Sequence, residues 1–232
     1  MIQAGNMELA IKLEEVTPWG KNLQEHQQIF CLNSGDLDKK IACFADGASS
    51  FNCELTRLGK FVRSFDPMYH FGKQALEHRL KTVVAASEEY LNNIPVEQQD
   101  ALKVIETERI RTAKKFLADY EEGLSQKRYI NHAFPDKTAF ADDAFDLGLS
   151  SHLLFLYEEL DVFFHIAAIA EMLRICREVR IFPLINFYGN PSIRLGPVME
   201  HFKAAHRIEF RMSTYGFGGV RSKMLVIKKE IQ

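Results

Sequence analysis

The sequence predicts an α/β fold built around a largely parallel sheet, and three observations lead there. Residues 39–69, KKIACFADGASSFNCELTRLGKFVRSFDPMY, run apolar, turn, amphipathic, apolar and end on an acid, which is one compact β-α-β unit. Further short apolar runs, FDLGLS and VRIFPLIN, flank a long helical segment. The chain closes on HRIEFRM and KMLVIKK, separated by too few residues for a helical crossover, so these last two strands pair antiparallel.

The segment to about residue 36 reads as a helical cap: KNLQEHQQIFCL has helical spacing through Leu23, Gln27 and Phe30, and Thr17-Pro18 before Trp19 is a plausible helix start. IACF is the first strand and ADGASS the turn after it. In SSFNCELTRLG, Ser49 or Ser50 caps a helix with Phe51, Leu55 and Leu58 on one face, and Gly59 ends it. FVRSF is the second strand. Residues 70–127 hold two helices, about 73–91 and 96–123, with Leu102, Ile105, Ala113, Phe116 and Tyr120 near one face of the second. RYI resumes the strands, FDLGLS is a strand buried on both faces, and a helix over about 158–177 leads into VRIFPLIN. GNPS turns, Ile193 to Phe202 is helical, and STYGFGGVRS joins the last two strands as a Gly-rich loop. The organisation expected is a cap over 1–36 and one α/β domain over 37–232 that includes the helical insertion 70–127.

The 232 residues are 47% hydrophobic and 26% charged, with 29 basic against 31 acidic residues and a net charge of -2. Such a balance gives no electrostatic footprint for nucleic acid. The start, MIQAGNMELAIKLEE, is not a secretory signal, and the richest apolar run is interrupted by Glu158, Glu159, Asp161 and Glu171. Neither membrane nor nucleic acid is expected as a partner. Cys31, Cys43, Cys53 and Cys176 form no C-x-x-C pair, so reduced thiols, a cytoplasmic setting and no metal are expected.

In a doubly wound sheet, ligands bind off the carboxyl ends of the strands where the winding reverses. The turn there needs small residues so that backbone N–H groups can approach a ligand, and Ala45, Gly47, Ala48, Ser49 and Ser50 supply them. Asp66 ends the next strand about twenty residues on, where a carboxylate can accept from both hydroxyls of a ribose. Its position between a buried strand and Pro67 points the carboxylate off the sheet edge. The turn is not G-x-G-x-x-G, and a plain strand-turn-helix remains the alternative.

With the hairpin ending after VRIFPLIN, this unit resembles the class I S-adenosylmethionine-dependent methyltransferases, the seven-stranded Rossmann-like group. TPWGKNLQEHQQIF, ADGASSFNCELTRLG, SFDPMY, FDLGLSSHLLFLY, REVRIFPLIN and GGVRSKMLVI are similar to a set of bacterial methyltransferase-like proteins of unassigned substrate. The resemblance implies strand order 3-2-1-4-5-7-6 with the seventh strand antiparallel, and S-adenosylmethionine as cofactor. It implies that Ala45, Asp46 and Gly47 border the methionine part, that Asp66 takes the ribose hydroxyls, and that Pro67 and Met68 lie beside the adenine. Ala133 and Phe134 would cover the adenine edge, and Ser150 and Ser151 would face the sulfonium. Two departures stand out: Cys43 occupies the position of an acid in the first strand, with Asp46 as a substitute, and Ala45 replaces a glycine.

An activated methyl needs alignment more than acid–base help. His152 and Tyr157, just past the fourth strand, are the candidate catalytic groups; His165 reads as a buried, satisfied histidine. The tetrad of amine methyltransferases, Asn or Asp then Pro-Pro and an aromatic, is absent after that strand, and Asn190-Pro191 in FYGNPS follows the fifth. DNA adenine methylation is thereby disfavoured; the expected acceptor is a small molecule, in a pocket shaped by the insertion and by Trp19, with a modest protein target left open. The competing readings are a catalytically degenerate cofactor-binding protein and an NAD-dependent Rossmann enzyme.

Overall fold

A computed structural model describes residues 13–217 and 220–230. One seven-stranded sheet organises them. Its strands are β1 (Ile41–Phe44), β2 (Val62–Phe65), β3 (Tyr129–Ile130), β4 (Phe145–Ser151), β5 (Cys176–Phe182), β6 (His206–Phe217) and β7 (Val220–Lys229). They lie in the order β3-β2-β1-β4-β5-β7-β6. β1 is parallel to β2 and β4, and β4 to β5; β7 runs antiparallel to both β5 and β6. This is the seven-stranded Rossmann-like architecture of the class I methyltransferase fold.

The strand sequences explain the layers. Successive side chains of a strand face opposite sides, and strands covered on both sides carry apolar residues at every position. IACF does so: Ala42 and Phe44 join the core under α6 (Val162–Ile175) and α7 (Leu195–Phe202), while Ile41 and Cys43 join the one under α1 (Leu23–Phe30) and α3 (Phe51–Arg57). Phe44, Phe65 and Phe145 are at most 1% exposed, and each contributes roughly 1.5–3 kcal/mol by leaving water. α1 and the short α2 (Ser34–Leu37) are part of this packing, since Ile29, Phe30 and Leu32 share a core with β1 and β4. The first twelve residues of the expected cap lie outside the described residues.

α4 (Lys73–Asn92) and α5 (Val96–Ser125) form the expected two-helix insertion between β2 and β3. Its base has its own core of Leu76, Leu80, Ala113, Phe116 and Tyr120 against Tyr69 and Tyr129.

Several expectations are corrected. Thr17-Pro18 starts no helix: residues 16–22 carry no regular structure, and α1 begins after Asn22, whose side chain accepts from Glu25 N–H while Glu25 accepts from Asn22 N–H, a capping box. The helix over 158–177 is shorter, because Asp161 caps it at Val162 and Cys176 already belongs to β5. Leu58, Leu102 and Ile105 do not face a core; they are 59%, 36% and 52% exposed, since α3 ends at Arg57 and α5 extends beyond the sheet it packs on. STYGFGGVRS is mostly strand, as an irregularity between Met212 and Gly216 lets β6 continue to Phe217. Among the described residues no helix is long and apolar enough to cross a membrane.

Candidate functional site

Register fixes where the site forms. Phe44 pairs with Phe65 on one side and Ser150 on the other, so β1, β2 and β4 end at one edge. The winding reverses between β1 and β4, which leaves a crevice above those ends. Two adjoining cavities of about 290 and 430 Å³ occupy it and share Glu15, Ala45, Asp66, His152 and Tyr157.

The bend after β1 is tightly wound. Ala45 has φ 53° and Gly47 φ 58°, both left-handed, which costs Ala45 about 1 kcal/mol and Gly47 little. Asp66 does not point freely off the sheet edge: its carboxylate folds back across this bend. Gly47 N–H donates to Oδ2 at 2.9 Å and Met68 N–H to Oδ1 at 2.8 Å. The physical reason is burial, for a carboxylate out of water takes the nearest N–H donors. Burial pushes its pKa up to about 6, against the pull of those two hydrogen bonds and with a smaller contribution from Asp46. Tyr69 OH donates to Gly47 O at 2.9 Å and fixes the bend from below.

The segment before α1 forms the opposite wall. A Cβ on Gly20 would meet the Ala48 carbonyl carbon at 2.2 Å, so backbone lies directly on backbone there. Ser49 Oγ and Ser50 N–H both donate to Lys21 O, at 2.8 and 3.2 Å. The insertion ties down this strap: Arg79 Nε donates to Val16 O at 2.9 Å, and Arg109 Nη1 to Gly20 O at 2.8 Å. Arg109 also grips Glu25 with both guanidinium nitrogens.

Every sequence-predicted site residue but one lines these cavities. Trp19, Ala45, Asp46, Gly47, Asp66, Met68, Ser151, His152 and Tyr157 line the smaller; Pro67, Ala133 and Phe134 line the larger, mostly apolar one. Ser150 is 1% exposed, packed within β4. His152 has φ 60°, and its N–H donates to Phe182 O at 2.8 Å. Burial, with Lys21, Arg109 and His26 nearby, drives its pKa down to about 3, so the ring is neutral. Burial and then Glu159 raise the Tyr157 phenol. His165 is fully buried with Nδ1 donating to Asp161 O at 2.7 Å.

The cavity residues missed from sequence include Lys21 and His26. Lys21 is held beside the bend, and burial followed by Arg109 lowers its pKa to about 8 despite Glu25. His26 projects from α1 with Nε2 3.4 Å from Asp46 Oδ1. The other Asp46 oxygen accepts from Ser64 Oγ at 2.6 Å. Cys43 lies behind them, 1% exposed, its thiol pKa raised by burial and by Asp46.

Strand order and a crevice at the β1/β4 switch point define the class I methyltransferase fold for this chain. It belongs to the family of the uncharacterized protein MJ0045 from the archaeon Methanocaldococcus jannaschii. The two are 34% identical over 225 residues, 94% of this chain and 99% of the relative. No known family model matches. Among solved structures, the chain is similar to magnesium protoporphyrin IX methyltransferase from Synechocystis PCC 6803 with bound SAM, at 10% identity, covering 85% of this chain and 73% of that one, TM-score 0.45. A putative S-adenosylmethionine-dependent methyltransferase from Methanococcus maripaludis is 12% identical, with coverage 90% and 84% and TM-score 0.44. A SAM-dependent methyltransferase, possible histamine N-methyltransferase, from Thermotoga maritima is 11% identical, with coverage 94% and 92% and TM-score 0.44.

Proposed function

We propose that the chain binds S-adenosylmethionine across the two cavities and transfers its methyl group to a small-molecule acceptor. The observation that carries this reading is the buried Asp66 carboxylate hydrogen-bonded to the backbone of the Ala45–Gly47 bend, with cavity on either side. Each volume falls near or within the range of small-ligand sites. When bound, the cofactor supplies a methyl already activated on a sulfonium.

The residues fit that ligand in pieces. Asp66 is an acceptor for a pair of vicinal hydroxyls, whose donated hydrogen bonds favour its ionised form. Pro67, Ala133, Phe134 and Phe164 offer an apolar slot suited to a purine. Lys21 offers a cation for a carboxylate at the Asp46 end. His152, with a pKa near 3, is a weak proton acceptor, since a general base works best near the operating pH. Its role is to orient an acceptor by hydrogen bonding, and Tyr157 stays a phenol. This favours an acceptor that loses its proton without help. The strap walls the bend on one side, and the insertion lines neither cavity but holds the strap in place through Arg79 and Arg109.

A second reading is binding without turnover. The engagement of one Asp46 oxygen by Ser64 favours it, because the acid missing at Cys43 is then only partly replaced.

Calorimetric titration with S-adenosylhomocysteine and, separately, NAD tests the reading. Binding of the first alone is expected, with Asp66→Ala weakening it about 100-fold, a loss of about 2.7 kcal/mol. Unchanged affinity in Asp66→Ala overturns the ribose assignment, and NAD binding overturns the cofactor. Turnover of methyl-labelled donor with cell extract separates transfer from mere binding.

A further inference from the structure

We propose that His26, Cys43 and Asp46 form a site for one divalent transition ion of the zinc type. Their ligand atoms all lie within 4.8 Å of one another. His26 Nε2 and Asp46 Oδ1, 3.4 Å apart, already span the edge of a tetrahedron whose metal bonds are about 2.0–2.2 Å long. Closing the widest gap takes a movement of about 1 Å, within reach of a cysteine rotamer change.

The surroundings orient His26 and Asp46. His26 Nδ1 donates to Asn22 O at 3.1 Å, which leaves the Nε2 lone pair facing the cluster. The ring stacks on Phe51, centroids 4.2 Å apart and planes 14° apart, so it cannot swing freely. Ser64 Oγ donates to Asp46 Oδ2 and leaves Oδ1 facing inward. A metal-ligating histidine and carboxylate carry such outer partners as a rule.

Charge and softness select the ion. A thiolate, a carboxylate and a neutral imidazole balance a +2 charge, so the loaded site is neutral and tolerates burial. One sulfur, one nitrogen and one oxygen suit zinc, cobalt or ferrous iron, and not the oxygen-seeking magnesium or calcium. His26 and Asp46 line the smaller cavity while Cys43 sits behind them. The fourth position of a tetrahedral ion therefore opens into that cavity, the arrangement of reactive rather than structural sites. No part of this site depends on the methyl-donor reading, and a ligand in the cavity would meet the ion at the Asp46 end. The sequence expectation of no metal rested on the missing C-x-x-C pair, whereas these ligands converge from α1, β1 and the bend.

Titrating chelator-treated full-length protein with Co²⁺ under reducing conditions tests the site. One equivalent should bind with a thiolate-to-cobalt charge-transfer band and the visible bands of a four-coordinate ion, and Zn²⁺ should displace it. Cys43→Ser should abolish the charge-transfer band, His26→Gln should weaken binding at least 100-fold, and Cys31→Ser should change neither. Zn²⁺ should also raise the Tm of the unsubstituted protein. Absence of a band, a band that survives in Cys43→Ser, or affinity indifferent to His26→Gln overturns the proposal. The titration and the Tm shift of the unsubstituted protein decide even if a variant fails to fold.

Discussion

Two kinds of buried charge meet in this molecule, and they are built differently. At the base of the insertion, Arg128 grips Asp119 with both guanidinium nitrogens, at 2.7 and 3.0 Å, while Asn52 and Tyr129 take up further hydrogen-bonding capacity. Under the sheet, Arg180 does the same with Asp36, adding Phe30 O and Glu178. Asp36 is held down at about 2, desolvation being outweighed by Arg180 and Lys39. In the cavity the balance runs the other way. Burial wins at Asp66, Lys21 and His152, and each is pushed toward its neutral form. Charges whose pairing outweighs burial hold the fold; those at one edge of the sheet, where burial outweighs the partners present, are what a ligand would stabilise.

The widest break between the two regions should come from Asp119→Ala. It leaves the Arg128 guanidinium, 4% exposed, without its carboxylate, and such losses amount to about 3–5 kcal/mol. Denaturant unfolding should show that loss, and replacing both partners by apolar residues should recover much of it. A loss below about 1 kcal/mol would mean that the pair is no firmer than a surface one.

Asp66 sharpens the contrast through pH. Its folded-state value, about 6, lies above its ordinary 3.8. The folded state therefore binds the proton more tightly, and stability is lost as pH rises from about 4 through 6, by about 3 kcal/mol at most. Asp66→Asn should remove that slope, where Asp36, held at about 2, acts with the opposite sign and only below about pH 4. Affinity for S-adenosylhomocysteine should rise with pH through the same interval, because the diol prefers the carboxylate. Unfolding curves at pH 4, 5, 6 and 7 check the first; a flat difference between variant and parent would show Asp66 to be ionised throughout.

How far the sequence disclosed these regions follows from how local each signal is. β1, β2 and β4 are apolar runs bounded by turn residues, and the small-residue bend with its distant acid reads directly from ADGASS and SFDP. The two insertion helices read from periodicity, although Leu102 and Ile105 kept the pattern while remaining exposed. The start of α1 was also legible, since Asn22 and Glu25 have capping-box spacing, yet Thr17-Pro18 offered a rival signal. Lys21 and His26 were not legible as cavity residues. They reach the bend only because the strap lies across Ala48 at Gly20, a backbone contact that no local pattern records.

Lys21 gives the smallest effect and the finest test of the comparison. Its folded-state value of about 8 lies below the ordinary 10.5, because burial and Arg109 outweigh Glu25. The folded state gives up the proton first, so the penalty is fully present below pH 8 and disappears as pH rises toward 10.5. Lys21→Met keeps the aliphatic stem and drops the charge, and at pH 7 it should stabilise the ligand-free protein by about 1–2 kcal/mol after allowance for partial solvation. That gain should shrink to nothing between pH 8 and 10.5, while affinity for S-adenosylhomocysteine falls about tenfold at pH 7. Stability gained with affinity lost marks a charge kept for a ligand. Stability lost together with affinity would place Lys21 with Arg128 and Arg180, among the charges that hold the fold.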